Sequence, residues 1–243
     1  MSQSEKAALL RQLHRAPPLL VLPNAWDVAS AGALAALPGC RALATTSAAV
    51  ARSLGFEDGE QAPAEEMIRA AGRIAAAVDV PVTADLERGY GDPTGTARAA
   101  WAAGVVGMNV EDSTADGPVT IDQQVTVLAA IRAAVPELVL NARVDVFIRH
   151  AGGVDEAVER ANVYLAAGAD CVYPILCPPE AITELARRID GPVNVVAAPG
   201  TPPPAELERL RVARMTWGPM LATAAYAEAA RIAGDALAAV AQS

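Results

Sequence analysis

Lysine is almost missing from this chain of 243 residues: Lys6 stands alone, ahead of the first strand-like segment. A Schiff-base aldolase or a pyridoxal enzyme needs a lysine amine as its nucleophile, so both classes are excluded. Histidine is nearly as scarce. His14 precedes the first strand and His150 follows Arg149 in a loop, which leaves no histidine cluster for zinc. Cys40, Cys171 and Cys177 are odd in number and far apart, with no Cys-x-x-Cys pair, and are read as reduced, buried thiols. Aromatic residues reach only 4%, so the core has to be built from Ala, Val, Leu and Ile. No apolar run approaches the roughly 18 residues of a membrane span, and charge interrupts the N-terminal segment where a secretion signal would be continuously apolar. A cytoplasmic location is expected.

Positive charge is also short. The net charge of -9 leaves no basic footprint for nucleic acid and disfavours an anionic membrane surface, so neither partner is expected. Nothing marks a linker, and the 53% hydrophobic content suits one well-buried α/β domain over residues 1–243.

What is present is alternation. After an N-terminal helix, the patterning predicts strands at residues 19–22 and 40–46, from Val80, from Gly104, and at 138–143, 171–175, 193–197 and 213–217. Helical segments fall between them, with a polar loop over residues 47–59 and a last helix over 219–240. Eight strands alternating with eight helices, most strands being continuous apolar runs buried on both faces, define a (β/α)8 TIM barrel. A doubly wound sheet would carry a G-x-G-x-x-G turn after its first strand, where Pro23-Asn24-Ala25-Trp26-Asp27 stands instead.

Chemistry in such a barrel gathers at the carboxyl ends of the strands. There the third strand ends in Asp85-Leu86-Glu87 and the fourth in Glu111-Asp112. Residues two apart on a strand share a face, so Asp85 and Glu87 are expected to project together, and a parallel neighbour brings Glu111 beside them. Two readings stand: solvated loop carboxylates, or anions held together by a metal ion. Mg²⁺ fits the second, since it keeps several waters and takes few protein oxygens. Asn24, Asp27, residues 45–47, Asn141, Tyr173, Asn194 and Trp217 complete the set, with Arg143 as its single arginine. Arg143 either clamps a substrate carboxylate or phosphoryl group or forms a salt bridge to Glu111 or Asp145.

These residues resemble the isocitrate lyase/phosphoenolpyruvate mutase superfamily. The resemblance runs from about Leu19 to Ala230. It rests on Thr46-Ser47 with Leu54-Gly55 and Asp58, on Asp85-x-Glu87-x-Gly89-Tyr90-Gly91, on Val110-Glu111-Asp112, and on Ala142-Arg143-x-Asp145. It implies a (β/α)8 barrel that binds Mg²⁺ and a 2-oxo acid or its enolate, assembled as a homodimer or homotetramer by exchange of the last helix. Carried over by position, Asp85 resembles the direct metal ligand, and Asp58, Glu87 and Glu111 the carboxylates that hold metal-bound water. Arg143 resembles the ligand of the substrate anion, and Thr46 and Ser47 the carboxylate cradle, with Asn194 placed on the substrate side. Glu87 stands where the family more often has aspartate. After Glu111 the family's lyases carry Lys-Lys-Cys-Gly-His and its mutases a lysine and an asparagine, whereas this chain has Asp112-Ser113-Thr114-Ala115-Asp116-Gly117-Pro118.

Three functions follow. The first is a Mg²⁺-dependent lyase or decarboxylase acting on a small 2-oxo acid through a metal-chelated enolate. The second is phosphorus–carbon chemistry of the phosphoenolpyruvate mutase or phosphonopyruvate hydrolase kind, which asks for more cations than Arg143 alone. The third is a barrel that binds metal and carboxylate with little turnover.

Overall fold

The computed structural model describes residues 1–15 and 17–241. Helix α1 (Gln3–Leu13) opens on a capping box between Ser2 and Glu5 and buries Ala7, Leu10 and Leu13. These three pack with Leu20, Leu22, Ala42, Ala44, Val106 and Val139, the amino-terminal portions of the strands. Gly107 makes the fit possible, because a Cβ there would stand 2.7 Å from Thr83 Oγ1 and 3.0 Å from Leu10 Cδ2. The helix thus closes one end of the strand layer and leaves the carboxyl end for the site.

In chain order there follow β1 (Leu20–Val21), β2 (Asn24–Ala25), α2 (Val28–Ala35), β3 (Leu43–Thr45), α3 (Ser47–Ser53), α4 (Ala64–Ala76), β4 (Val82–Asp85) and α5 (Pro93–Ala102). Next come β5 (Gly107–Val110), β6 (Ser113–Thr114), β7 (Gly117–Pro118), α6 (Ile121–Ala134), β8 (Val139–Val144) and α7 (Val154–Ala166). The chain ends with β9 (Cys171–Pro174), a 3₁₀ turn (Pro179–Ala181), α8 (Ile182–Arg188), β10 (Asn194–Val196), α9 (Pro204–Arg209), β11 (Arg214–Thr216) and α10 (Met220–Ala241).

The parallel strands lie in two sheets, ordered β2-β3-β4-β5-β8-β9 and β1-β11-β10. A bridge between Val172 and Val193 links β9 to the start of β10. At the other junction β1 pairs with β11 while β2 pairs with β3. The expected strand at residues 19–22 is therefore two short pieces around Leu22 and Pro23, and the break has a cause: proline has no N–H to donate to a ladder. Its carbonyl still accepts from Ala44 N at 2.9 Å. All six residues of β8 are buried, as a strand covered on both faces requires.

Two segments depart from the sequence expectation. The polar loop over residues 47–59 begins with α3, a seven-residue helix of small residues without an amphipathic stripe to reveal it. The segment after β5 folds as the antiparallel hairpin β6–β7, with Ala115-Asp116 as its two-residue turn and Gly117 paired with Thr114. Cys40, Cys171 and Cys177 are free thiols, and no helix among the described residues is long and apolar enough to cross a membrane.

Candidate active site

A cavity of about 450 Å³ opens at the carboxyl ends of the strands, lined by Asn24, Thr46, Ser47, Asp58, Asp85, Glu87, Glu111, Arg143, Tyr173 and Trp217 among others. Asp85 closes β4. Its backbone N–H donates to Thr45 Oγ1 at 3.0 Å, and its Oδ2 accepts from Ser47 N at 3.2 Å and Ser47 Oγ at 3.1 Å. Its Oδ1 is buried with no partner. An ionised oxygen left bare inside a protein loses its solvation uncompensated, so this atom needs a donor or a cation.

Glu87 reaches the same cavity by another route than strand alternation. It lies beyond the end of β4 with φ 51°, so a left-handed turn, not the pleat, brings its carboxylate round beside Asp85. There Glu60 N donates to Oε2 at 2.5 Å and Tyr90 Oη to Oε1 at 3.0 Å. Burial, then the charge of Asp58, pushes the Glu87 pKa up to about 7. Asp58 is itself raised, by burial and by Asp85. Glu111 is pushed up to about 9: burial outweighs Arg143, and Asp85, Asp145 and Glu87 add to it. The site is short of positive charge.

Arg143 carries both of its anticipated salt bridges. Its Nε and Nη2 donate to Asp145 at 3.0 and 3.1 Å, and its Nη1 donates to Glu111. Burial opposes the guanidinium charge, and Glu111 with Asp145 outweighs it. Asp145 is fixed in turn, accepting from Ser113 Oγ at 2.5 Å while its N–H donates to Asp112 Oδ1 at 2.8 Å. Of the five donors of a guanidinium, three are engaged, which leaves Arg143 two for a ligand.

Several expectations need correction. Asn194 does not line the cavity: β10 runs two residues further to Val196, so Asn194 sits a layer deeper, fully buried, accepting from Thr216 Oγ1 at 3.4 Å. The Ser47 N–H and hydroxyl are turned to Asp85 instead of standing free. Asn24 is a staple, donating to Thr45 O and accepting from Trp217 and Gly218 N–H groups, so it ties β2 to the end of β11. Arg143 is not the single arginine, since Arg149 and Arg214 also line the cavity. Arg214 was legible as a charge inside the apolar run 212–215, whereas Arg149 lies in a loop with no pattern to mark it.

Among the described residues no group of three or more His, Cys, Asp or Glu side chains is close enough to hold a metal directly. The donor set nonetheless fits a divalent ion held by few protein oxygens: one bare carboxylate oxygen on Asp85, with Asp58, Glu87 and Glu111 in the same cavity and each raised by burial and like charge.

A parallel α/β layer with an acidic cavity at its carboxyl ends defines an enzyme of the barrel-like α/β class. The chain belongs to the isocitrate lyase/phosphoenolpyruvate mutase superfamily: the family model described as phosphoenolpyruvate phosphomutase matches residues 10–237. A Mycobacterium tuberculosis protein of uncharacterised function is 37% identical over 92% of this chain and 88% of its own. The 2-methylisocitrate lyase of Bacillus subtilis (strain 168) is 31% identical over 79% of this chain and 67% of that enzyme. Among solved structures, a Burkholderia cenocepacia J2315 protein with a provisional phosphonomutase name superposes with a TM-score of 0.88 at 39% identity, covering 95% of this chain and 99% of that one. A 2,3-dimethylmalate lyase superposes with a TM-score of 0.83 at 27% identity, covering 96% and 85%. An oxaloacetate acetylhydrolase in complex with oxalate does so with a TM-score of 0.83 at 25% identity, covering 92% and 84%. The homologues include lyases of this superfamily.

Proposed function

We propose that the two sheets form one closed (β/α)8 barrel and that the chain is a Mg²⁺-dependent carbon–carbon lyase or decarboxylase of a small 2-oxo acid. The observation that carries the reading is the bare Oδ1 of Asp85 among three further carboxylates, with Arg143 retaining two donors across the same cavity. Asp85 would hold the ion, and Asp58, Glu87 and Glu111 would hold its waters. When bound, the ion supplies Lewis acidity to an enolate oxygen, worth several kcal/mol in such a site. The chain's own part is orientation. Arg143, immobilised by Asp145, takes the substrate carboxylate on its free N–H groups, while Ser47 fixes the rotamer of Asp85.

Departure of CO2 breaks the carbon–carbon bond and leaves its electron pair in the enolate, which then takes a proton from water. Cleavage of a branched tricarboxylate needs an acid and a base at the reacting bond. No lysine, histidine or cysteine is among the residues lining the cavity, which favours the less demanding reaction. The likeness to an oxaloacetate acetylhydrolase supports carbon–carbon cleavage of a four-carbon 2-oxo acid. Phosphorus–carbon chemistry is the second reading, and Arg149 and Arg214 favour it by adding the cations that a phosphoryl group demands.

A panel of oxaloacetate, phosphonopyruvate and 2-methylisocitrate with added Mg²⁺ decides between them. Release of CO2 or acetate from oxaloacetate is expected, and phosphate or phosphoenolpyruvate from phosphonopyruvate would establish the second reading. Binding without turnover on all three would mark a barrel that only binds metal and carboxylate. In calorimetry Asp85→Asn should abolish Mg²⁺ binding, and an unchanged isotherm would overturn the metal assignment.

The assembly we propose is a homodimer or homotetramer in which α10 packs on a second copy, because this helix lies almost wholly outside its own body. No nucleic acid or membrane partner belongs to this proposal, and the location proposed is the cytoplasm.

A further inference from the structure

Arg214 begins β11 and is 1% exposed, yet its Nε and Nη1 have no hydrogen-bond partner and it forms no ion pair among the described residues. Removing a cation from water costs several kcal/mol unless an anion meets it. A guanidinium cannot escape by shedding its proton as a buried lysine can. Burial does pull the Arg214 pKa down, against the fields of Cys171, Tyr173 and Asp85.

The neighbours do not settle this charge. Asn194 is the Cα partner of Arg214 on β10, and its Nδ2 is a second buried donor with no partner. Adjacent strands therefore present donors side by side. His14 lies within the field of Arg214; its Nδ1 meets Leu10 O at 2.8 Å, so Nδ1 carries the proton and Nε2 offers a lone pair. A neutral lone pair, or a water placed between, can accept one N–H but cancels no charge. Asp85 is a carboxylate whose field reaches Arg214, and no ion pair joins them.

The remaining side of Arg214 is the cavity, whose lining it joins with Tyr173 and Thr216. Arg143 and Arg214 border that space from β8 and β11, with β9 and β10 between them. The first is paired with Glu111 and Asp145 and keeps two donors, whereas the second has no ion pair among the described residues. About 450 Å³ is room for a small diacid. We infer that Arg214 is the receptor for a second carboxylate, so that the cavity selects dicarboxylates, with the 2-oxo or 2-hydroxy acid end at Asp85 and Arg143 and the far carboxylate at Arg214. The inference rests on the reading of this cavity as a 2-oxo acid site and narrows its substrate class.

Malate and lactate test it, because both carry the 2-hydroxy acid end and they differ by one carboxylate. Calorimetric titrations of the full chain with each racemate in Mg²⁺ buffer should show malate at least 10-fold tighter than lactate. Arg214→Met, similar in length and uncharged, should lose that preference while lactate affinity stays the same. Arg214→Lys, which keeps the charge, should retain a reduced preference, and it decides the matter if the methionine variant does not fold. Equal binding of malate and lactate by the parent, or a full malate preference in a folded Arg214→Met, overturns the subsite and leaves the 2-oxo acid reading standing. Failure of the parent to bind either acid overturns both.

Discussion

His14, at the carboxyl end of α1, is 1% exposed, and burial, with Arg214 adding to it, lowers its pKa to about 4. Folded His14 is therefore neutral at pH values where an unfolded histidine, near 6.5, has begun to protonate. The sign follows. Stability from this residue is complete above about pH 6.5 and is lost progressively as pH falls toward 4, because the unfolded chain takes up a proton that the folded chain refuses. Across that window the loss is about 3 kcal/mol. Urea unfolding of the parent and of His14→Met at pH 7 and pH 4.5 isolates it, since contributions from the carboxylates cancel in the difference. The methionine variant should lose less stability over this interval, and parallel losses in the two proteins would remove the assignment. His14 Nε2, Asn141 Oδ1, Asn194 Nδ2 and two nitrogens of Arg214 are buried polar atoms without partners, as is Asp85 Oδ1 in the cavity. Such atoms are expensive in a core and mark where a fold has kept polar groups for binding instead of packing.

The loop from β4 to α5 shows how an element can place a carboxylate that strand geometry does not. Glu87, Gly89, Tyr90 and Gly91 all have positive φ, at 51°, 96°, 54° and 80°. Gly89 is the constrained member: a Cβ there would lie 2.5 Å from Pro93 Cα, at the first turn of α5. Gly89→Ala adds left-handed strain and a backbone clash together, about 1–3 kcal/mol. At roughly 2–4 °C per kcal/mol for a chain of this size, the melting temperature should fall by about 5 °C. Mg²⁺ affinity should weaken with it, because Glu87 hangs from the same loop. An unchanged melt and unchanged affinity would show that the loop is free to rearrange. The glycines and the carboxylates of this stretch were legible in the sequence, and so was the alternation of strand and helix, because buried parallel strands are continuous apolar runs. What was not legible has physical causes. Helix α3 is too short and too uniformly small to carry a stripe, and the strand around Pro23 breaks on a missing donor. Asn194 was misplaced by one layer because a run of apolar residues does not announce where along it the cavity floor lies. The role of Asp145 in holding Arg143 was open as one of two salt bridges, and both exist because Glu111 and Asp145 approach the planar guanidinium along different edges.

At the scale of the whole molecule, α10 is the part that does not fit a chain standing alone. It runs for 22 residues, and Ala222 is its only buried position among those described. Tyr226 packs edge-on against Trp26, ring centres 6.0 Å apart, and beyond that contact the helix leaves the body. In proteins most of a helix's stability comes from packing an apolar face against a neighbour. Ala222, Tyr226, Ala229, Ala233 and Leu237 fall at spacings of four, three, four and four, so the face that is buried at Ala222 continues outward as one stripe. Tyr226 and Leu237 are 42% and 72% exposed on it, and Ile232 is 58% exposed beside it. Ion pairs from Arg231 to Glu228 and Asp235 occupy the helix elsewhere, which leaves the stripe itself for contact. In the proposed assembly a second copy of the chain would supply the matching surface, since the same helix and the same body recur in it and a two-fold exchange would close without leaving either stripe bare. Light scattering of the parent at micromolar concentration should therefore give a dimer or a tetramer. Ile232→Glu with Leu237→Glu should shift it to a smaller species with a lower melting temperature, because two charges would have to be buried to keep the contact. A parent that is monomeric at these concentrations, or a double variant whose mass is unchanged, would show that α10 is covered in some other way.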